Sequence, residues 1–228
     1  MISALKNIPI TYQGELHDVR LVNFLVHPDE IQPLVPSTIP IRKFGDKAMI
    51  SMVNVRLKKM RPDFLPAGLD FNYEHIGFRL LIEDAPLNTG TNKGIYFIKS
   101  FTDKAWITWG GRYFTDYQLE QATISWTPQQ FNLQQDNLYV SYSISNQAPD
   151  PQPELKEIIG QLDRAYSVQK EHLRMVQIQR EKWPLEELAV TDFKTNFFRT
   201  AEFIGAFRVP ETIFYTWLPP QQLTSCAF

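Results

Sequence analysis

The sequence predicts an α+β chain, mainly antiparallel β, that closes into a barrel with a few short helices. Three observations carry that prediction. Aromatic residues make up 13% of the 228 residues and Pro outnumbers Gly by 16 to 10, the balance of many short β-compatible segments separated by rigid turns. Val140, Tyr142 and Ile144 alternate with Ser141, Ser143 and Ser145, the period of two expected where one sheet face is buried and the other wet. Strand-like segments arrive in runs rather than in strict βαβ alternation, which favours antiparallel pairing.

Along the chain, "RLVNFLV" (Arg20 to Val26) reads as an apolar strand. Pro28, Asp29 and Glu30 open a helix, because Pro suits the first turn and acids favour the positive end of the dipole. "IPIRKFGDKAMISMVNVRL" reads as two strands joined at Gly45-Asp46, since turn residues separate two β-compatible runs. "HIGFRLLIE", "KGIYFIKSF", "AWITWGGRYF", "YQLEQATISWT" and "NLYVSYSIS" follow as further strands.

"APDPQPE" (Ala148 to Glu154) is a Pro-rich hinge before the period changes. Leu155, Ile158, Ile159 and Leu162 then recur at helical spacing, which predicts one helix over "PELKEIIGQLDRAY". "HLRMVQIQREKW" reads as a strand, "PLEELAV" as the opening of another helix, and "EFIGAFRV" with "TIFYTWL" as a closing hairpin around "PE". Thr191 to Thr200 fits helix and strand equally. The hinge is too short for a true linker, so residues 1–228 are expected to form one domain, with a C-terminal extension beyond 148–154 that continues the sheet.

Composition excludes several function classes. Hydrophobic residues at 43% and charged residues at 21% are ordinary for a globular chain. A formal charge of −2 gives no electrostatic footprint for nucleic acid or anionic membrane. The single cysteine, Cys226, rules out an internal disulfide. The N-terminus lacks the apolar core of a signal peptide, and no apolar run approaches the roughly 20 residues that cross a bilayer. A cytoplasmic protein is expected.

Most catalytic motifs are absent as well. There is no G-x-S-x-G elbow, no phosphate-cradling glycine loop and no reactive-cysteine context. "TGTNKG" (Thr89 to Gly94) lies between strands and reads as a turn. His17, His27, His75 and His172 lack metal-ligand spacing, and a helix opening explains "HPDE" at His27; no metal and no cofactor is assigned. Lys58 and Lys59 in "RLKKMR" would diverge on a strand, so a solvated strand end accounts for them.

Two stretches stand out. In "EHIGFR", Glu74, Ile76 and Phe78 face one way while His75, Gly77 and Arg79 face the other. Arg79 is then either buried with a carboxylate or ligand partner or exposed on a wet face. In "WGGRYF" (Trp109 to Phe114), Gly-Gly within a strand marks a bulge or a close approach by a ligand. Trp109, Tyr113 and Tyr117 would supply walls with polar tips, and Arg112 a fork for a carboxylate. An aromatic hairpin with Arg112 in water is the other reading.

"VNFLVHPDEIQPLVPSTIPI", "GFRLLI", "GIYF" and the late Trp183-Pro184-Leu185 together resemble the acetoacetate-decarboxylase-like superfamily, and within it an uncharacterised bacterial family described only as a domain of unknown function; the resemblance covers residues 19 to 218. It implies a cone-like antiparallel β-barrel with a buried pocket. In the founding decarboxylases a strand lysine, beside a second lysine just after a proline, forms a Schiff base with a β-keto acid. The corresponding stretch here, "ITWGGRYFTDYQ", holds neither lysine nor proline, and Gly111, Arg112 and Tyr113 stand in their place. The superfamily also has an acid shortly before an arginine, which Arg79 matches and Glu74 matches with shifted spacing.

Three functions follow as expectations. One is a barrel that binds a small, carboxylate-bearing molecule without a Schiff base, with Arg79 and Arg112 as anion anchors and Trp109, Tyr96, Tyr113 and Tyr117 as lining. Another is a decarboxylase- or lyase-like enzyme acting on a keto acid by acid–base chemistry, with Glu74 or His75 as proton carrier. The third is a structural or interaction module whose barrel is filled by side chains. Apolar strand edges are compatible with a homodimer.

Overall fold

The computed structural model describes residues 10–87, 90–108, 119–169 and 172–223. Its elements are β1 (Tyr12–Val26), α1 (Pro28–Ile31), β2 (Lys43–Phe44), β3 (Lys47–Pro62), β4 (Phe71–Leu81), β5 (Gly94–Thr102), β6 (Glu120–Gln121), β7 (Thr123–Trp126), β8 (Gln130–Gln135) and β9 (Leu138–Ile144). After these come α2 (Pro153–Gly160), β10 (Arg164–Gln169), β11 (His172–Arg180), β12 (Glu186–Glu187), β13 (Val190–Thr195), β14 (Glu202–Arg208), β15 (Ile213–Trp217) and β16 (Gln221–Gln222). No helix among the described residues is long and apolar enough to cross a membrane.

Seven strands close a ring in the order β1-β15-β11-β10-β5-β4-β3, and β3 pairs back to β1. Every junction is antiparallel except β10 with β5. The mainly antiparallel barrel expected from the sequence is therefore present. A second sheet, β13-β9-β8-β7, covers one outer side.

The period of two sends neighbouring residues to different cores. Val22, Phe24, Ile50, Phe78 and Phe101 point outward to meet Phe131, Val140 and Tyr142 of the second sheet. Leu21, Val53, Val55, Leu81, Ile95 and Tyr215 point into the barrel. Asn54 Nδ2 ties the two sheets by donating to the Tyr142 hydroxyl at 2.7 Å.

Several local expectations are corrected. The helix over 153–166 stops at Gly160, and Arg164 begins a strand instead, where β10 finds the edge of β5 at Gly94–Tyr96. "PLEELAV" forms the short β12 and the start of β13, not a helix, because β14 and β9 offer unpaired edges. β14 and β15 do not form a hairpin. Both lie antiparallel to the same edge of β1, end to end: Arg20 to Leu25 pair with β14 and Tyr12 to Leu16 with β15. The jog between them matches a bulge in β1, where Asp18 adopts φ 52° and Val209 N–H donates to Val19 at 3.0 Å.

Residues 105–108, expected in a strand, form a helical turn. "YQLEQATISWT" splits: β6 stays on β5 while β7 joins the second sheet. In the undecided stretch, Val190–Thr195 is strand and helix does not follow it. The Gly45-Asp46 turn forms as expected, with Gly45 at φ 65°, a left-handed conformation that glycine adopts without a Cβ clash.

Candidate functional site

β4 writes a polarity gradient along one face. Phe71, Tyr73, His75 and Arg79 all point into the barrel, where they line a cavity of about 950 Å³. Phe71 stacks with Tyr73 at 6.0 Å near one end. Arg79 sits near the other end, 7% exposed, donating from Nε to the Ser51 carbonyl at 3.1 Å and from Nη2 to Ser51 Oγ at 2.7 Å. Ser51 is its cross-strand partner on β3, so the sheet register itself fixes the guanidinium. Arg79 is thus buried rather than on a wet face.

Gly77 lies between the two polar residues. A Cβ there would fall 2.7 Å from the Phe97 ring and 3.3 Å from the His75 ring, so the missing side chain is what lets Phe97 and His75 approach, 5.9 Å between ring centres. Ser100, opposite Gly77 on β5, is buried against the cavity, and its hydroxyl has no hydrogen-bond partner among the described residues.

Arg180 enters from β11 with Trp183 beside it. Its guanidinium lies 4.4 Å over the Trp183 ring and donates to the carbonyls of Leu162 at 2.7 Å and Glu181 at 3.1 Å. Those acceptors are neutral. Burial first, and then the charge of Arg79, push Arg180 down to about 9, against the opposing pull of Asp163; at neutral pH it keeps its charge. Trp183 Nε1 is another buried donor with no partner among the described residues.

His75 is the most perturbed imidazole in the cavity. Burial, and secondarily the Arg79 charge, lower it to about 3, so it is neutral at pH 7. An unfolded histidine binds a proton below about 6.5, whereas folded His75 stays unprotonated down to about 3. Between these values the unfolded state holds more protons, and stability is lost as pH falls, by about 1.4 kcal/mol per unit. Urea unfolding from pH 6.5 to 5 is expected to cost the wild type about 2 kcal/mol more than His75→Gln. Parallel losses in the two proteins would refute a buried neutral imidazole.

The remaining residues fall as follows. Tyr96 lines the cavity, its hydroxyl raised by burial. Glu74 points to the opposite face of β4 and accepts from Arg56 Nε at 3.2 Å, so the structure does not bring it to Arg79. Trp109, Arg112, Tyr113 and Tyr117 lie outside the described residues. Lys58 and Lys59 are exposed; the bulge at Lys59, with φ 52°, turns its ammonium to Glu15 at 2.7 Å. Among the described residues, no three of His, Cys, Asp and Glu gather as metal ligands.

Sequence reasoning missed Arg180, Ser100 and Lys99, and picked out Trp183 only as part of the family resemblance, without a place in the pocket. Lys99 stands on the cavity wall 3.8 Å from Glu120, which also lines it. A signal for Arg180 was present: in "VQIQR" the arginine shares its face with Val176 and Ile178, the apolar inward side of β11. Beside Arg164, whose Nε lies 3.8 Å from it, the fully buried Asp84 accepts from the Tyr166 hydroxyl at 2.9 Å and from the N–H groups of Lys93 and Gly94 at 2.9 and 3.0 Å. That carboxylate clamps the β10–β5 junction. A Cβ on Gly94 would meet it at 2.7 Å.

The fold is shared with solved enzymes at low identity. An acetoacetate decarboxylase-like enzyme from Sphingomonas wittichii superposes with a TM-score of 0.62 at 12% identity, over 97% of this chain and 95% of that one. Acetoacetate decarboxylase from Legionella pneumophila gives 0.59 at 11% identity, over 95% and 87%. The enduracididine biosynthesis enzyme MppR, complexed with pyruvate, gives 0.54 at 12%, over 96% and 91%. No curated protein matches the sequence. Residues 13–217 match the sequence pattern of the DUF2071 family, described as "uncharacterized conserved protein", and the chain belongs to that family, on an acetoacetate-decarboxylase-like barrel.

Proposed function

We propose that the barrel binds an organic carboxylate, held by charge and hydrogen bonds rather than by a covalent Schiff base. One observation carries the reading: two guanidiniums that repel each other, Arg79 and Arg180, converge on the same cavity as two unpartnered buried donors, Ser100 Oγ and Trp183 Nε1. Buried polar groups are almost always hydrogen-bonded, and like charges in a desolvated site favour an anion between them. A carboxylate supplies both the negative charge and the acceptor oxygens. Neutral His75 adds a further hydrogen-bonding group without a charge of its own, and a base lowered this far is a poor proton carrier at neutral pH. A cavity of about 950 Å³ also speaks against a barrel filled by side chains.

A second reading is favoured by Lys99 and Glu120 on the same wall: an enzyme acting on a keto acid. The resemblance of the barrel to a decarboxylase and to a pyruvate-complexed enzyme supports it. One experiment separates the two. The full chain is incubated with pyruvate or acetoacetate and borohydride, then digested and mapped by mass spectrometry. An unlabelled protein that still binds these acids in calorimetry is the expected result; a labelled Lys99 would sink the non-covalent reading.

A further inference from the structure

We infer that the ligand is an amphiphile: a carboxylate with a long apolar tail, taken up head first. The inference rests on the anion reading above and extends it from the head of the ligand to its body. The cavity is large for a keto acid of a few carbons, since about 950 Å³ lies near the top of the range for pockets that engulf drug-sized molecules.

Its polarity is sorted along its length. The guanidiniums of Arg79 and Arg180 line one part of it together with Ser100 Oγ and Trp183 Nε1, the two buried donors left without a partner among the described residues. From Arg79 to Phe71 the inward face of β4 runs eight residues, on the order of 27 Å at strand rise, and ends in aromatic rings. β3 matches it, with Leu57 opposite Tyr73 and Val55 opposite His75. Beyond lie Phe64 (68% exposed), Leu69 (61%) and Trp106 (54%), all lining the same cavity. Trp106 packs edge-on against Phe71 at 5.6 Å.

Large apolar side chains at such exposure are costly in water unless something covers them. Their continuity with a cavity whose deep end is cationic identifies the cover as the tail of the molecule whose head is bound below. A hydrophilic keto acid would leave both the walls and the rim wet.

Straight-chain carboxylates from butyrate to dodecanoate, and the matching primary amides, titrated calorimetrically into the full chain, test this. Affinity of the acids is expected to rise by about fourfold per added methylene and then level off as the tail reaches the rim. Phe64→Ser with Trp106→Ser, both exposed and tolerable for folding, is expected to weaken only the longest acids. Acids that outbind their amides but show no chain-length dependence overturn the amphiphile while leaving the carboxylate reading standing. Acids and amides of equal affinity overturn the carboxylate reading, and this inference with it. Chain-length dependence that survives the rim variants unchanged also overturns the head-first orientation.

Discussion

Phe78→Ala is expected to lower the unfolding free energy by about 3–5 kcal/mol, the range for deleting a buried aromatic ring and leaving a cavity. Phe78 is wholly buried on the outward face of β4, at the seam between the barrel and the second sheet. Its ring lies 4.9 Å from Phe197, 6.1 Å from Phe101, 6.1 Å from Phe198 and 6.4 Å from Phe24. Four rings from three separate segments, Phe24 on β1, Phe101 on β5 and the adjacent Phe197 and Phe198, cannot all collapse into one vacated site, because each is held by its own backbone. For a chain of this size the loss corresponds to a fall in Tm of roughly 6–20 °C.

The matched control is Phe64→Ala at the rim, where a mostly exposed ring is expected to change stability by no more than about 0.5 kcal/mol. Phe78 faces away from the cavity, so the folded fraction of Phe78→Ala should bind carboxylates as the wild type does. A loss under 1 kcal/mol in urea titration would mean that the second sheet does not pack on the barrel as described.

The same alternation explains how much was legible beforehand. Where one strand separates two environments, the sequence carries the period plainly: Val140 and Tyr142 against Ser141 and Ser143, or Glu74 and Phe78 against His75 and Arg79. Both predicted faces exist. What failed was partner choice, which is a matter of distant edges rather than local pattern. "EFIGAFRV" and "TIFYTWL" look like a hairpin because Pro210 and Glu211 interrupt them, yet the long β1 takes both on one edge. Leu162 continues a helical spacing, yet Asp163 N–H is claimed by Lys93 at 3.3 Å and the chain turns into the barrel. The inward face of the cavity's second guanidinium was legible in its own strand, but its partner was hidden for the same reason. Nothing local to "VQIQR" tells that β11 faces β4 across a closed ring, so Arg180 and Arg79 become neighbours only once the ring closes.

Arg79→Met is expected to weaken carboxylate binding by about 2–5 kcal/mol, the cost of truncating one member of a buried charge pair, or about thirtyfold at the least. Affinity for the matching amides should hardly move, since an amide has no charge to lose. Two opposing effects bear on folding. Ser51 loses the donors to its carbonyl and Oγ, at about 1–3 kcal/mol, while a buried charge beside Arg180 disappears, which favours the folded state. The variant should therefore fold. Arg79→Lys keeps the charge but not the planar fork, so it should retain part of the preference for acids. A spectroscopic readout separates binding from scaffolding. With the Arg79 charge gone, His75 loses the lesser of the two causes that depress it, so its imidazole should titrate higher by NMR while burial still holds it below the ordinary value. In a double-mutant cycle with Arg180→Met, the two losses in acid affinity should fall short of adding, because the first removal already relieves the repulsion felt by the second. Wild-type acid affinity in Arg79→Met, with His75 unmoved, would show that the guanidinium braces β3 against β4 and has no part in recognition.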